Sequence, residues 1–151
     1  MSQGCRNDRR GGATVISETV PRGCLNARVG IELRAAIPIL RMHDVAVTKR
    51  FYLDYLGCSL DGQDGEGDRP IFVKVSRGGM RLHLSSHHDD GTPGTVVLVV
   101  TSGVADLHAE LAAKKYPFLN PGLEPGPGGG GLELQLIDPA SNRLRFYEPP
   151  S

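Results

Sequence analysis

The stretch Ala36–Gly57, AIPILRMHDVAVTKRFYLDYLG, decides the architecture. Its first six residues, Ala36 to Arg41, are apolar and rich in isoleucine, and they read as a strand. Pro38 has no N–H to give a ladder, which puts that strand at a sheet edge or in an exchanged position. Asp44 then offers an N-cap carboxylate, and Val47, Phe51 and Tyr55 recur every four residues beside Thr48, Tyr52 and Leu56. That spacing predicts a helix with one apolar face. Gly57 ends it, because glycine enters the left-handed region at low cost. Beyond an acidic, Gly-rich loop from Asp61 to Asp68, the alternating runs Ile71 to Ser76 and Met80 to Ser85 flank Gly78-Gly79 and predict a hairpin.

The second half follows the same plan about sixty residues later. Thr95 to Thr101 is a Val-rich strand, and Ser102 is placed to cap a helix with Val104, Leu107, His108, Leu111 and Ala112 on one face and Pro117 at its end. A Pro/Gly-rich loop, Asn120 to Gly131, leads to strand Leu132 to Ile137. The turn Asp138-Pro139-Ala140-Ser141-Asn142 leads to the last strand, Arg143 to Glu148. A short strand is also expected after each helix, near Ser59 to Gly62 and Pro117 to Leu119, with little sequence signal for either. The reading is therefore α+β, with modules at about 36–90 and 95–149 inside one domain, 35–151. Residues 1–34 mix Gly, Arg, Asn and Ser without period and read as a flexible tail, with a short strand near Thr14 to Ile16 or Val29 to Leu33 as the alternative.

Composition narrows the function classes. Seventeen basic residues balance seventeen acidic ones, so no net field draws in nucleic acid or an anionic membrane. No apolar run approaches the ~20 residues of a membrane span, and no apolar stretch follows the basic N-terminus to make a secretion signal. The three cysteines, Cys5, Cys24 and Cys58, are scattered and odd in number, which fits a reducing cytoplasm rather than a disulfide framework. Cys58 reads as a small buried residue.

Strand alternation separates two faces. Ile71/Val73/Val75, Met80/Leu82/Leu84, Leu134/Leu136 and Leu144/Phe146 form an apolar face to lie under the helices. The other face carries Phe72, Lys74, Arg81, His83, Ser85, Glu133, Gln135, Arg143, Arg145 and Tyr147. It either meets solvent or lines a pocket, and the two aromatic residues among its polar groups favour the pocket.

The segments Ala36 to Leu40, Asp44-Val45-Ala46, Phe51-Tyr52 and Tyr55-Leu56-Gly57, with the closing run Asp138 to Phe146, resemble the glyoxalase/bleomycin-resistance/dioxygenase (vicinal oxygen chelate) superfamily. The resemblance covers residues 36 to 149 and lies closest to bleomycin-resistance-like proteins. It implies two βαβββ modules with pseudo-twofold symmetry, whose curved mixed sheets form a cup, and a homodimer. Pro38 matches the proline that follows an exchanged strand in that branch.

Metal-dependent members take ligands from equivalent strand positions, here Ile37, Val96, His83 and Arg145. Hydrocarbon side chains cannot ligate and a guanidinium repels a cation, so His83 alone qualifies. No metal or other cofactor is expected there. A second group, His83, His87, His88, Asp89 and Asp90, sits at the end of a strand and reads as a polar loop, with an ion site or a ligand-contacting lip as alternatives. Gly128 to Gly131 reads as a loop or rim and no phosphate cradle, since it precedes a strand.

The expected ligand-binding residues are Phe72, Lys74, His83, Ser85, Glu133, Gln135, Arg145 and Tyr147. Arg145 would grip a carboxylate or phosphate through two parallel donors, and His83 would hydrogen-bond or act as a general acid or base. Glu133 is either a ligand contact or the ion-pair partner of Arg145 or Arg143. Drug-binding members capture a large cationic glycopeptide in acidic, Trp-rich grooves, whereas this chain has no Trp, 5% aromatic residues and no net charge. A wall with Lys74, Arg81, Arg143 and Arg145 against Glu133 favours an anionic or polar neutral ligand. The expected function is metal-free binding of an antibiotic or metabolite. A metal-dependent lyase, isomerase or dioxygenase is the alternative, and an accessory domain for a protein partner is a third.

Overall fold

The computed structural model describes residues 31–65, 71–117 and 120–151. The chain divides between Arg34 and Ala35 into two units, and every element below belongs to the second. The tail expected for residues 1–34 lies, up to residue 30, outside the described residues. So does the strand considered near Thr14, while residues 31–34 are exposed and irregular.

Each half runs strand, helix, three strands. The first holds β1 (Ile39–Arg41), α1 (Val45–Lys49) continuing as the wider helical turn Arg50–Tyr55, β2 (Ser59–Asp64), β3 (Phe72–Arg77) and β4 (Met80–Ser85). The second holds β5 (Val96–Val100), α2 (Val104–Ala113), β6 (Leu123–Pro125), β7 (Leu132–Ile137) and β8 (Arg143–Glu148). They form two four-stranded mixed sheets, ordered β1-β4-β3-β2 and β5-β8-β7-β6. In each, the opening strand lies parallel to the closing one and the other pairs are antiparallel. This is the α+β duplication read from the sequence.

Several boundaries differ from the sequence reading, each for a physical reason. β1 begins only at Ile39, because Pro38 has no N–H for the ladder; the Pro38 carbonyl still accepts from His83 N at 3.0 Å. β2 extends to Asp64, into the expected loop, and β6 forms at Leu123–Pro125 inside the expected Pro/Gly-rich loop. Both are edge strands with nearly every residue exposed, so no apolar alternation marks them. The expected strand near Pro117 is absent at Pro117, and residues 118–119 lie outside the described set. Ile71 precedes β3 and is 51% exposed, outside the apolar face.

Asp44 caps α1 as its sequence predicts, accepting from Val47 N at 2.8 Å, and Gly57 closes the helix at φ +72°. The helix end is also held from afar: Arg77 donates to the Leu56 carbonyl and Lys114 to that of Tyr55. Cations at these carbonyls satisfy acceptors the helix cannot. Glu110 bridges the two, 2.6 Å from Arg77 and 3.0 Å from Lys114. For α2 the expected Ser102 cap is replaced. Gly103 takes the cap position at φ +76°, and the carboxylate of Glu148 accepts from Gly103 N (2.9 Å) and Val104 N (3.0 Å). α2 stops at Ala113, before Pro117, with Lys115 turning the chain at φ +49° and Ala112 exposed.

One core serves both modules. Val73, Val75, Leu82 and Leu84 of one sheet and Leu134, Leu136, Leu144 and Phe146 of the other join Phe51, Tyr52, Tyr55 and Leu56 in a single buried cluster. The turn Asp138–Asn142 pins the halves together. Asp138 accepts through Oδ1 from the backbone N of Ala140 (2.9 Å) and Asn142 (2.8 Å), and through Oδ2 from Tyr52 Oη (2.8 Å) and Asn142 Nδ2 (2.8 Å). Asn142 Nδ2 also reaches the Arg41 carbonyl at 2.8 Å. Burial, then the Asp138 charge, pushes the Tyr52 hydroxyl well above its ordinary pKa.

Candidate ligand-binding faces

Because alternate residues of a strand face opposite ways, the strands that bury leucine and valine must turn their other residues away from the core. The eight expected site residues fall into two register-paired quartets, and all but Ser85 lie on these outward faces. In the first sheet, Lys74 pairs with His83 and Phe72 with Ser85 in register. In the second, Gln135 pairs with Arg145 and Glu133 with Tyr147. Ile39 flanks His83 as Leu98 flanks Arg145, so His83 and Arg145 hold equivalent positions in the repeat.

Within the first quartet the Phe72 and His83 rings meet edge to face at 5.1 Å, and Lys74 Nζ lies 5.8 Å from the Phe72 centroid. Lys74 is paired with Asp64 at 2.7 Å. Ser85 departs from the open face: it is fully buried, its hydroxyl donates to Asp90 at 2.8 Å and accepts from His87 N at 3.1 Å. It anchors the loop after β4.

In the second quartet Arg145 donates from Nε to Glu133 Oε1 and from Nη2 to Oε2, both at 2.7 Å. Glu133 is 2% exposed and Arg145 34%. The Arg145 hydrogen bonds, with a smaller one from Gln135, hold the Glu133 carboxyl below its ordinary pKa, and Glu133 raises that of Arg145 in return. The glycine-rich run before β7 packs tightly here. A Cβ at Gly126 would overlap the Tyr147 ring, and one at Gly131 the Glu148 carbonyl.

Among the described residues no hydrogen bond or ion pair joins the two quartets. A recess lies elsewhere, a groove of about 860 Å³ between the β3–β4 hairpin and the β5–α2 connection. Its floor includes Met80, Leu82, Val97 and Leu107, and its rim Arg81 and Asp106. β5 borders it with the outer edge of its sheet, and Val96, Leu98 and Val100 there are 52%, 52% and 71% exposed. Sequence reading missed this groove, although an uncharged run of five apolar residues on an opening strand was a usable signal.

The four positions equivalent to a superfamily metal centre do not fit a divalent ion. Ile37 and Val96 are hydrocarbon, Arg145 is a cation, and both oxygens of its neighbour Glu133 are already taken, which leaves one imidazole. The loop group is also divided. Asp90 is engaged by Ser85 and His83 stays on the sheet, while His87, His88 and Asp89, all exposed, bring ligand atoms within 4.8 Å of one another.

The profile of the family described as glyoxalase superfamily protein matches residues 25–150. Among solved structures, the bleomycin-binding protein of bleomycin-producing Streptomyces verticillus, complexed with copper(II)-bleomycin, is 28% identical, with a TM-score of 0.58 over 78% of this chain and 97% of that one. A bleomycin resistance determinant encoded on the transposon Tn5 is 20% identical, with a TM-score of 0.62 over 78% and 98%. A glyoxalase-related enzyme from Clostridium phytofermentans is 19% identical, with a TM-score of 0.63 over 81% and 99%. No curated protein sequence is significantly similar to this chain.

Proposed function

Because the chain belongs to the glyoxalase superfamily, we propose that it is a metal-free binding protein that sequesters a small molecule, an antibiotic or metabolite, between walls centred on His83 and Arg145. The observation that carries this reading is the matched register: His83 and Arg145 stand beside Ile39 and Leu98 at equivalent points of two outward faces. The resemblance to a bleomycin-binding protein supports the class of function. The donor set supports binding without metal.

A homodimer is part of the same proposal. Both sheets spend their apolar faces on one core, so the two quartets of one chain look away from each other. A cup with both kinds of wall then takes its second wall from another copy. β5 supports this, since a Val-rich edge strand without charge or proline invites a partner. A cytoplasmic setting agrees with a reduced, buried Cys58, and no described helix is long and apolar enough to cross a membrane.

The test is a thermal-shift screen of the chelator-treated full chain against bleomycin and small polar metabolites, with mass measured by light scattering. The expected result is a dimer stabilised stoichiometrically by a ligand, unaltered by metal removal, with at least tenfold weaker binding in His83→Ala and Arg145→Met. Ligand turnover that stops on chelation would instead establish a metal-dependent lyase, isomerase or dioxygenase.

A further inference from the structure

A guanidinium has two donor edges suited to a planar pair of acceptors, one formed by Nε with Nη2 and one by Nη1 with Nη2. In Arg145 the first edge is filled by Glu133, through two 2.7 Å hydrogen bonds. The second edge has no partner among the described residues, and Arg145 is one-third exposed on a face whose neighbours in register are Leu98 and Gln135. Glu133 is 2% exposed, and both its oxygens lie against the guanidinium. Glu133 therefore does two things to Arg145: it fixes the orientation of the free edge and offsets its charge.

The other wall repeats the arrangement. Lys74, the cation of the first quartet, is matched by Asp64 at 2.7 Å on the same face. Each cation assigned to ligand binding thus has a carboxylate partner within its own sheet. Arg81 and Arg143 have no ion-pair partner among the described residues, but both are exposed, where solvent and salt screen them.

We infer that Glu133 determines specificity by acting through Arg145, and that the site takes an uncharged, planar ligand presenting two adjacent acceptor atoms while discriminating against carboxylates and phosphates. The chemical class is an aromatic or heteroaromatic ring with a pair of coplanar oxygens, or a carbonyl oxygen beside a ring nitrogen. Arginine forks onto such a neutral oxygen–nitrogen pair when it reads guanine. A carboxylate on the same edge would meet the guanidinium with its charge already spent and the Glu133 carboxylate behind it, a like-charge juxtaposition. Leu98 supplies apolar contact on one side of Arg145 and the Gln135 amide a further hydrogen bond on the other. This inference rests on the proposed ligand-binding role of the face and adds the charge class of what it binds.

The test uses a matched pair of probes, 4-nitrobenzyl alcohol and 4-(hydroxymethyl)benzoate, alike in shape and differing in charge. Both are titrated into the full-length chain by NMR, following the Arg145 Nε–H and His83 side-chain resonances. In the wild type the neutral probe should bind at least as tightly as the carboxylate, and salt should alter neither affinity by more than about twofold. In Glu133→Gln the carboxylate should gain about tenfold, in a salt-dependent way, while the neutral probe changes less than threefold; Arg145→Met should weaken both. A wild-type preference for the carboxylate overturns the inference, whether or not Glu133→Gln folds. So does a folded Glu133→Gln with unchanged discrimination. Failure of either probe to perturb Arg145 or His83 at millimolar concentration instead removes the binding face itself, and the inference with it.

Discussion

Replacing Asp138 by alanine tests how the two modules are joined. The carboxylate is 5% exposed and accepts four hydrogen bonds, two from backbone N–H groups of its own turn, one from Tyr52 and one from Asn142. The costs differ by site. The two backbone N–H groups belong to Ala140 and Asn142, both buried, and losing their shared acceptor costs about 1–2 kcal/mol. The Tyr52 hydroxyl sits on a fully buried residue and is stranded, at about 1–3 kcal/mol. Together the loss is about 2–5 kcal/mol, which for a domain of this size lowers Tm by roughly 6–20 °C. Tyr52→Phe removes only one donor and should cost about 1–1.5 kcal/mol. Urea unfolding followed by circular dichroism gives each value, and the double variant gives the coupling between modules, expected at about 0.5–3 kcal/mol. An Asp138→Ala loss below about 1 kcal/mol, or no coupling to Tyr52, would show that the Asp138 carboxylate does not help to join the halves.

Two further outcomes follow from groups outside the ligand-binding faces. Burial pushes the Cys58 thiol from 9.0 up to about 11, so its thiolate population near pH 8 is about a hundredfold lower than that of a free thiol; peptide-resolved mass spectrometry after iodoacetamide treatment should find Cys58 protected in the native chain and labelled in urea, and native labelling at the unfolded rate would refute its burial. Hydrogen bonds from Arg77 and then Lys114 hold the Glu110 carboxyl below 4.5, so its stabilising contribution is present above that value and is lost as pH falls through the depressed one. Glu110 is 40% exposed, which limits the effect to about 1 kcal/mol or less. The Tm gap between wild type and Glu110→Gln should therefore be small and constant at pH 6–7 and narrow as pH falls below 4.5, and a gap that widens on acidification would contradict the bridge.

The sequence by itself determined the duplicated α+β plan. Val73, Val75, Leu82 and Leu84 alternate because one side of their strands is buried, and the Asp44 cap and Gly57 terminus are local chemistry read within four residues of their effect. The edge strands Ser59–Asp64 and Leu123–Pro125 were hard to read for the converse reason, since a strand exposed on both faces leaves no period. Ser102 looked like a cap, but Glu148, more than forty residues away, satisfies the α2 N-terminus. The site divides the same way. Alternation placed Phe72, Lys74, His83, Gln135, Arg145 and Tyr147 on outward faces. Only the tertiary structure decided between the two roles weighed for Glu133, committing both its oxygens to Arg145, and turned Ser85 inward to Asp90. Side-chain periodicity is a property of one strand, whereas charge pairing, distant caps and the direction in which a sheet faces depend on what packs against it.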